Sequence, residues 1–162
     1  MLYLILAALL VALDQAVKFL VRAHIPLGGS LPVLPGVLDL TYVQNTGAAF
    51  SMFSQHTWIL AFISLVMSVV LAVALWKNFF THPLGKVTLS LLLAGAVGNL
   101  IDRTLRGFVV DMFQLLFMNF AVFNVADICV VVGGIAAAAY YLLLADKLEH
   151  KEAPHGTADA DR

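Results

Sequence analysis

The segment from Thr57 to Trp76 constrains this chain more than any other, because its 20 residues carry no charge. Its ends are marked by Trp58 and Trp76, the only two tryptophans in the sequence. A helix rising 1.5 Å per residue sets them about 27 Å apart, close to the ~30 Å hydrocarbon core of a bilayer. Tryptophan is enriched at both membrane–water interfaces, where an apolar ring with one polar edge fits. Composition agrees. Of the 162 residues, 62% are hydrophobic and 12% charged, about half the roughly 25% charge of a soluble domain. A chain this short has no interior large enough for so much apolar surface, so lipid must serve as its solvent.

Three further apolar stretches are long enough to cross. The expected spans are about 2–22, 57–76, 87–105 and 125–145, within one domain over 1–145. The first is read as a retained helix rather than a cleavable signal: it has no basic start, and Asp14 and Lys18 stand where a small-residue cleavage site belongs. Residues 146–162 are polar, include Pro154 and Gly156, and are expected to form a disordered cytoplasmic tail. No internal repeat is visible.

The connections differ in character. Ala23 to His56 holds Pro26, Pro32 and Pro35, then the alternating Leu38-Asp39-Leu40-Thr41-Tyr42, which suggests a strand at the membrane surface. Lys77 to Lys86 is a short polar turn. Arg106 to Asn124 is long and unusually apolar, with Phe108, Phe113, Leu115, Leu116, Phe117, Met118, Phe120 and Phe123; so greasy a connection is expected to rest on lipid or on a lipid-bearing ligand. Lys77, Lys86, Lys147, Lys151 and Arg162 fall on one side, against Lys18, Arg22, Arg103 and Arg106. With Lys18 and Arg103 inside helices, the loops favour the Lys77 side as cytoplasmic.

Four spans put the first and third connections on one face, and the unusual polar residues gather there. Asp14 and Lys18 close span one, and Asn45 follows. Asn99, Asp102 and Arg103 close span three; Asp111 lies in the third connection, and Asn124 and Asp127 open span four. An aspartate at membrane depth costs at least ~2.5 kcal/mol on insertion scales, so such groups usually serve a function. Structural readings compete at each. Asp14 and Lys18, at i and i+4, suit an ion pair; Asn99, Asp102 and Arg103 share a helix face and suit a polar clamp near Gly95 and Gly98; Asn124 and Asp127 suit a helix start. Asp111 shifts the balance. Gly107 is expected to end the third helix, which lets Asp111 turn back towards Asp127 on the same face. Two carboxylates that approach closely cannot both ionise easily. The ionised member can activate water while the other protonates a leaving amine, which is aspartic-peptidase chemistry.

Other chemistries are less well supplied. Net charge is -1 and gives no footprint for nucleic acid. The lone Cys129 offers neither a disulfide framework nor a thiolate zinc site. His24, His56, His82, His150 and His155 show no ligand spacing, so neither metal nor cofactor is expected. A serine–lysine dyad of Lys18 with Ser51 or Ser54 stays open, as do a proton-coupled transporter and a non-catalytic scaffold.

The chain resembles the lipoprotein signal peptidase family, also called signal peptidase II. The resemblance rests on Asp14-Gln15-Ala16-Val17-Lys18, Gln44-Asn45-Thr46-Gly47-Ala48-Ala49-Phe50-Ser51, Gly95-Ala96-Val97-Gly98-Asn99-Leu100-Ile101-Asp102-Arg103, Gly107-Phe108-Val109-Val110-Asp111 and Phe123-Asn124-Val125-Ala126-Asp127. Any one is weak, but five in order among four spans are specific. Met112 departs from the family, where an aromatic often follows the aspartate.

The resemblance implies an all-α integral membrane protein of four transmembrane helices, with a small extracytoplasmic β-cradle and a short surface segment between helices three and four. It implies a catalytic pair at Asp111 and Asp127, with Asp14, Asn45, Asn99, Arg103 and Asn124 in support. The implied substrate is a diacylglyceryl-prolipoprotein, cut just before its lipidated cysteine. The implied setting is the bacterial inner membrane, with both termini cytoplasmic and the active site near the outer face. Membrane lipids, a monomeric state and sensitivity to globomycin-class inhibitors complete the expectation.

Overall fold

A computed structural model describes residues 1–47 and 56–144, with side chains as far as 142. The helices are α1 (Leu2–His24), α2 (Thr57–Trp76), α3 (Pro83–Arg106) and α4 (Val125–Ala139), the last continued by a π-helical turn, Tyr140–Leu144. Among the described residues, four helices are long and apolar enough to cross a membrane. Three strands, β1 (Ser30–Leu34), β2 (Leu38–Asn45) and β3 (Val109–Leu115), form an antiparallel sheet in the order β1-β2-β3. This is the expected architecture, a four-helix membrane protein with a small sheet.

The central element is α3, which packs against α1, α2 and α4. Its small residues allow this. A methyl group on Gly95 would stand 2.5 Å from the Ala126 carbonyl oxygen, and one on Gly98 would stand 2.7 Å from Asp14 Oδ2. Helices that gain nothing from hiding apolar surface from lipid associate by such close packing and by polar contacts. Pro83 suits the first turn of α3, where its missing N–H costs no hydrogen bond, and His82 caps the helix by accepting from Leu84 N at 3.2 Å. Away from the sheet, α1, α2 and α3 bury Ala7, Leu71, Leu75, Leu89, Leu93 and Ala94 together.

Between α3 and α4 the apolar connection forms a strand that sequence periodicity does not reveal. Alternation is absent because Val109, Val110, Asp111 and Met112 are all buried. Val110 and Met112 pack on Val21, Ile25 and Tyr42. One edge of β3 pairs with β2. On the other, Phe113 exchanges backbone hydrogen bonds with Phe123, at 2.8 and 3.2 Å. A strand covered on both faces loses its period-2 signature. The β1–β2 hairpin turns at Pro35-Gly36, with Gly36 at φ 75; Pro32 sits in β1, an edge strand, where a missing N–H is tolerated.

Candidate active site

Gly107 sets the site's geometry. It ends α3 in the left-handed conformation (φ 78), its N–H reaching Arg103 O at 3.2 Å. Glycine adopts this conformation without the Cβ penalty. The chain then reverses into β3, where Val43 pairs with Asp111 and Asn45 with Val109. Asp102, on the last turns of α3, holds the start of β3 through Oδ2, which accepts from Val110 N at 3.0 Å. Asp111 is thereby carried back beside the bundle, 2% exposed.

Asp127 enters from the first turn of α4. Asn124 is the N-cap: its Oδ1 accepts from Asp127 N at 2.9 Å, and Asp127 Oδ2 accepts from Asn124 N at 3.1 Å. This reciprocal box satisfies two of the orphan N–H groups of the helix start. The helix-start reading of Asn124 and Asp127 is therefore correct but incomplete, since both also face the site.

Every carboxylate oxygen of the pair accepts one donor. Asp111 Oδ2 takes Asn45 Nδ2 at 2.9 Å and Oδ1 takes Asn124 Nδ2 at 2.6 Å. Asp127 Oδ1 takes Asn99 Nδ2 at 2.8 Å, and its Oδ2 is held within the cap. Asn124 Nδ2 also reaches Asn99 Oδ1 at 3.2 Å, so Asn124 and Asn99 bridge the two acids, while Asn45 holds Asp111 alone. Burial and the neighbouring charge of Asp127 push Asp111 up to about 6, against the pull of the Asn45 and Asn124 amides and the Lys18 charge.

Behind the pair lies a largely buried ionic cluster. Lys18 Nζ lies 2.9 Å from Asp14 Oδ2, 3.1 Å from Asp102 Oδ2 and 3.0 Å from Asn99 Oδ1. Asp14 Oδ1 accepts from Ala126 N at 2.9 Å, tying α1 to the start of α4. Arg106 pairs with Asp102 and reaches Gln15 Oε1 at 3.3 Å. Gln15 in turn lies within 3.3 Å of Asp14, Asp102 and the Gly98 carbonyl.

Asp14, Asn45, Asn99, Asp111, Asn124 and Asp127 thus meet in one network, while Arg103 stands at its edge. Arg103 contacts Ser64 Oγ and Gly47 O, each at 3.4 Å, and its buried Nε has no hydrogen-bond partner among the described residues. Sequence reasoning assigned no site role to Gln15 or Arg106 and left Asp102 as part of a clamp. The i, i+4 spacing of Asp102 and Arg106 was a usable signal, whereas the reach of Gln15 across helices was not. Ala48, Ala49, Phe50, Ser51 and Ser54 lie outside the described residues, as does the tail.

A cavity of about 540 Å³ opens over the pair. Asn45, Asn99, Arg103, Asp111 and Asp127 supply its polar lining, and Leu115, Phe120, Phe123, Ile128 and Val131 belong to its larger apolar lining. The arrangement suits a ligand with one polar, reacting end and a long apolar remainder. No group of three or more His, Cys, Asp or Glu residues able to hold a metal occurs among the described residues.

Residues 6–143 match the family model described as signal peptidase (SPase) II. A lipoprotein signal peptidase of Enterococcus faecalis is 44% identical over 155 residues, covering 96% of this chain and 95% of that protein. One from Lactococcus lactis subsp. cremoris is 45% identical over 138 residues, covering 83% and 87%. A bacterial membrane enzyme solved by the in meso method at 2.3 Å superposes with a TM-score of 0.80 at 31% identity, over 94% of this chain and 93% of that one.

Proposed function

We propose that this chain, which belongs to the signal peptidase II family, cleaves lipoprotein precursors with Asp111 and Asp127 as its catalytic pair. The family's enzymes are aspartic signal peptidases that remove signal peptides from prolipoproteins, and this is a bacterial membrane protein of that kind. The observation carrying the assignment is that Asp111 and Asp127 face one cavity, each oxygen of the pair held by an amide donor.

In the proposed reaction one carboxyl is ionised and the other keeps its proton. The ionised member takes a proton from a water, whose oxygen attacks the scissile carbonyl carbon. As the tetrahedral intermediate collapses, the C–N bond breaks and the second carboxyl gives its proton to the departing amine. Asn45, Asn99 and Asn124 fix the two acids and stabilise the ionised form, while Asp14 anchors the first turn of α4. Arg103, with an uncommitted buried Nε, orients the substrate backbone. The apolar walls from Leu115 to Phe123 and from Ile128 to Val131 suit the diacylglyceryl group, with cleavage just before the lipidated cysteine. Both termini are assigned to the cytoplasm, with the pair near the outer face of the inner membrane. We assign the working form as a monomer of one domain over 1–145, open to membrane lipids and blocked by globomycin-class cyclic peptides.

The test is cleavage of a purified diacylated prolipoprotein, followed by gel shift. Asp111→Asn and Asp127→Asn each abolish cleavage while membrane insertion and cooperative thermal unfolding persist. Full cleavage by either variant refutes the pair, and loss of inhibition by globomycin at saturating dose refutes the inhibitor assignment. Impermeant labelling of single cysteines at each terminus tests the orientation, with labelling from the outside refuting it.

A further inference from the structure

We propose that Lys18 is a positioning residue that acts on Asp127 through Asn99, an inference that rests on the catalytic pair proposed above. The side chain of Lys18 is 0% exposed, a costly place for an ammonium unless every donor is used. All three are used, on Asp14 Oδ2 at 2.9 Å, Asp102 Oδ2 at 3.1 Å and Asn99 Oδ1 at 3.0 Å.

The third contact has a chemical consequence. The two ends of an asparagine amide are nearly alike in shape but opposite in hydrogen bonding, and an ammonium can only donate. Lys18 therefore selects the oxygen of Asn99. The NH2 group is left pointing the other way, to Asp127 Oδ1 at 2.8 Å. Turned over, the amide would set its NH2 against the ammonium and its oxygen against the carboxylate, two repulsive contacts in place of two attractive ones. Asn124 Nδ2 adds a second donor to Asn99 Oδ1, but it is neutral and more distant at 3.2 Å. A charge on α1 thus fixes the donor that α3 presents to a carboxylate on α4.

A purely structural role makes a different prediction. In the buried cluster Lys18 and Arg106 balance Asp14 and Asp102. Exchanging a buried ion pair for uncharged residues is often neutral or stabilising, so Lys18→Met combined with Asp14→Asn, which keeps the Asp102–Arg106 pair, would leave a merely structural site intact. Positioning demands a loss in kcat instead.

The experiment is a double-mutant cycle between Lys18→Met and Asn99→Ala in the purified full chain, with diacylated prolipoprotein as substrate. Each single change lowers kcat about 10- to 100-fold, the size of one hydrogen bond to a charged group, and leaves KM within about threefold. The double variant falls no more than about threefold below the weaker single variant, because Lys18 reaches Asp127 only through Asn99. Fully multiplicative losses, wild-type kcat in Lys18→Met, or a loss carried by KM would overturn the proposal. Should Lys18→Met not fold, the cycle is run in Asp14→Asn, where the remaining Asp102–Arg106 pair balances; failure there too assigns Lys18 to folding alone and overturns the proposal. Asp111→Asn and Asp127→Asn are measured alongside. If they retain cleavage, the catalytic pair is wrong; if they are inactive and the cycle is multiplicative, only the role of Lys18 is.

Discussion

Gly95→Ala tests whether the fit of α3 against α4 sets the geometry of the pair. The added methyl would stand 2.5 Å from the Ala126 carbonyl oxygen and 2.5 Å from Val130 Cγ2. Val130 can turn its side chain, but Ala126 O is backbone in the first turn of α4, one residue before Asp127. Ordinary contact begins near 3.4 Å, so that turn must retreat by roughly 0.9 Å, an overpacking that costs about 1–3 kcal/mol. A displacement of about 1 Å at a reacting group lowers rate by about 100-fold. Because Asp127 also depends on Asn99 and on the Asn124 cap, the retreat strains three contacts together. Gly95→Ala is therefore expected to lose about 30- to 100-fold in kcat and to unfold at lower temperature. The assays are gel-shift cleavage of a diacylated prolipoprotein and thermal unfolding in the same detergent. Gly134→Ala is the control: it lies on the same α4, and its methyl would meet nothing within 4 Å. Cleavage by Gly95→Ala within twofold of the unmodified protein would refute the reasoning, as would an equal loss in Gly134→Ala.

The Asp111 carboxyl, at about 6 against an ordinary 3.8, prefers its proton in the folded state. The stability this adds is present below pH ~4 and is lost as pH rises through 6, by up to about 3 kcal/mol. Asp111→Asn lacks that ionisation, so its unfolding temperature relative to the parent should rise between pH 4 and 7; a pH-independent difference would contradict the assignment. Gly107→Ala meets no atom within 4 Å, so its penalty is the left-handed backbone alone, about 1–2 kcal/mol, read as a lower unfolding temperature. Asn45→Ala removes the donor to Asp111 Oδ2 and should lower kcat about 10- to 100-fold; unchanged turnover would show that Asn124 suffices.

The membrane architecture was legible because lipid imposes a coarse rule on the sequence. Thr57 to Trp76 had to be a helix of bilayer length, and counting spans placed the polar residues at one end. The strand at Val109–Leu115 was not legible. Its alternation is erased because Val109 to Met112 are all buried, and Val110 and Met112 are covered by Val21, Ile25 and Tyr42, distant in the chain. The Leu38–Tyr42 strand was readable from its alternating residue types, although its burial does not alternate: Leu38, Asp39 and Leu40 are half-buried, and Thr41 and Tyr42 are buried.

Sequence alone determined which residue types could act. Acids, amides and the basic Lys18, Arg103 and Arg106 gather towards one end of the spans, where burial makes each of them costly. Only the tertiary structure decided which of them touch. Spacing allowed Asp14 and Lys18 to be a local ion pair and Asn124 and Asp127 a local cap, and both readings are true. Spacing carries no information about contacts made between helices. That Lys18 turns Asn99 towards Asp127, and that Asp102 holds Val110 beside Asp111, depends on α3 lying close enough to its neighbours for a methyl group to be excluded at Gly95 and Gly98.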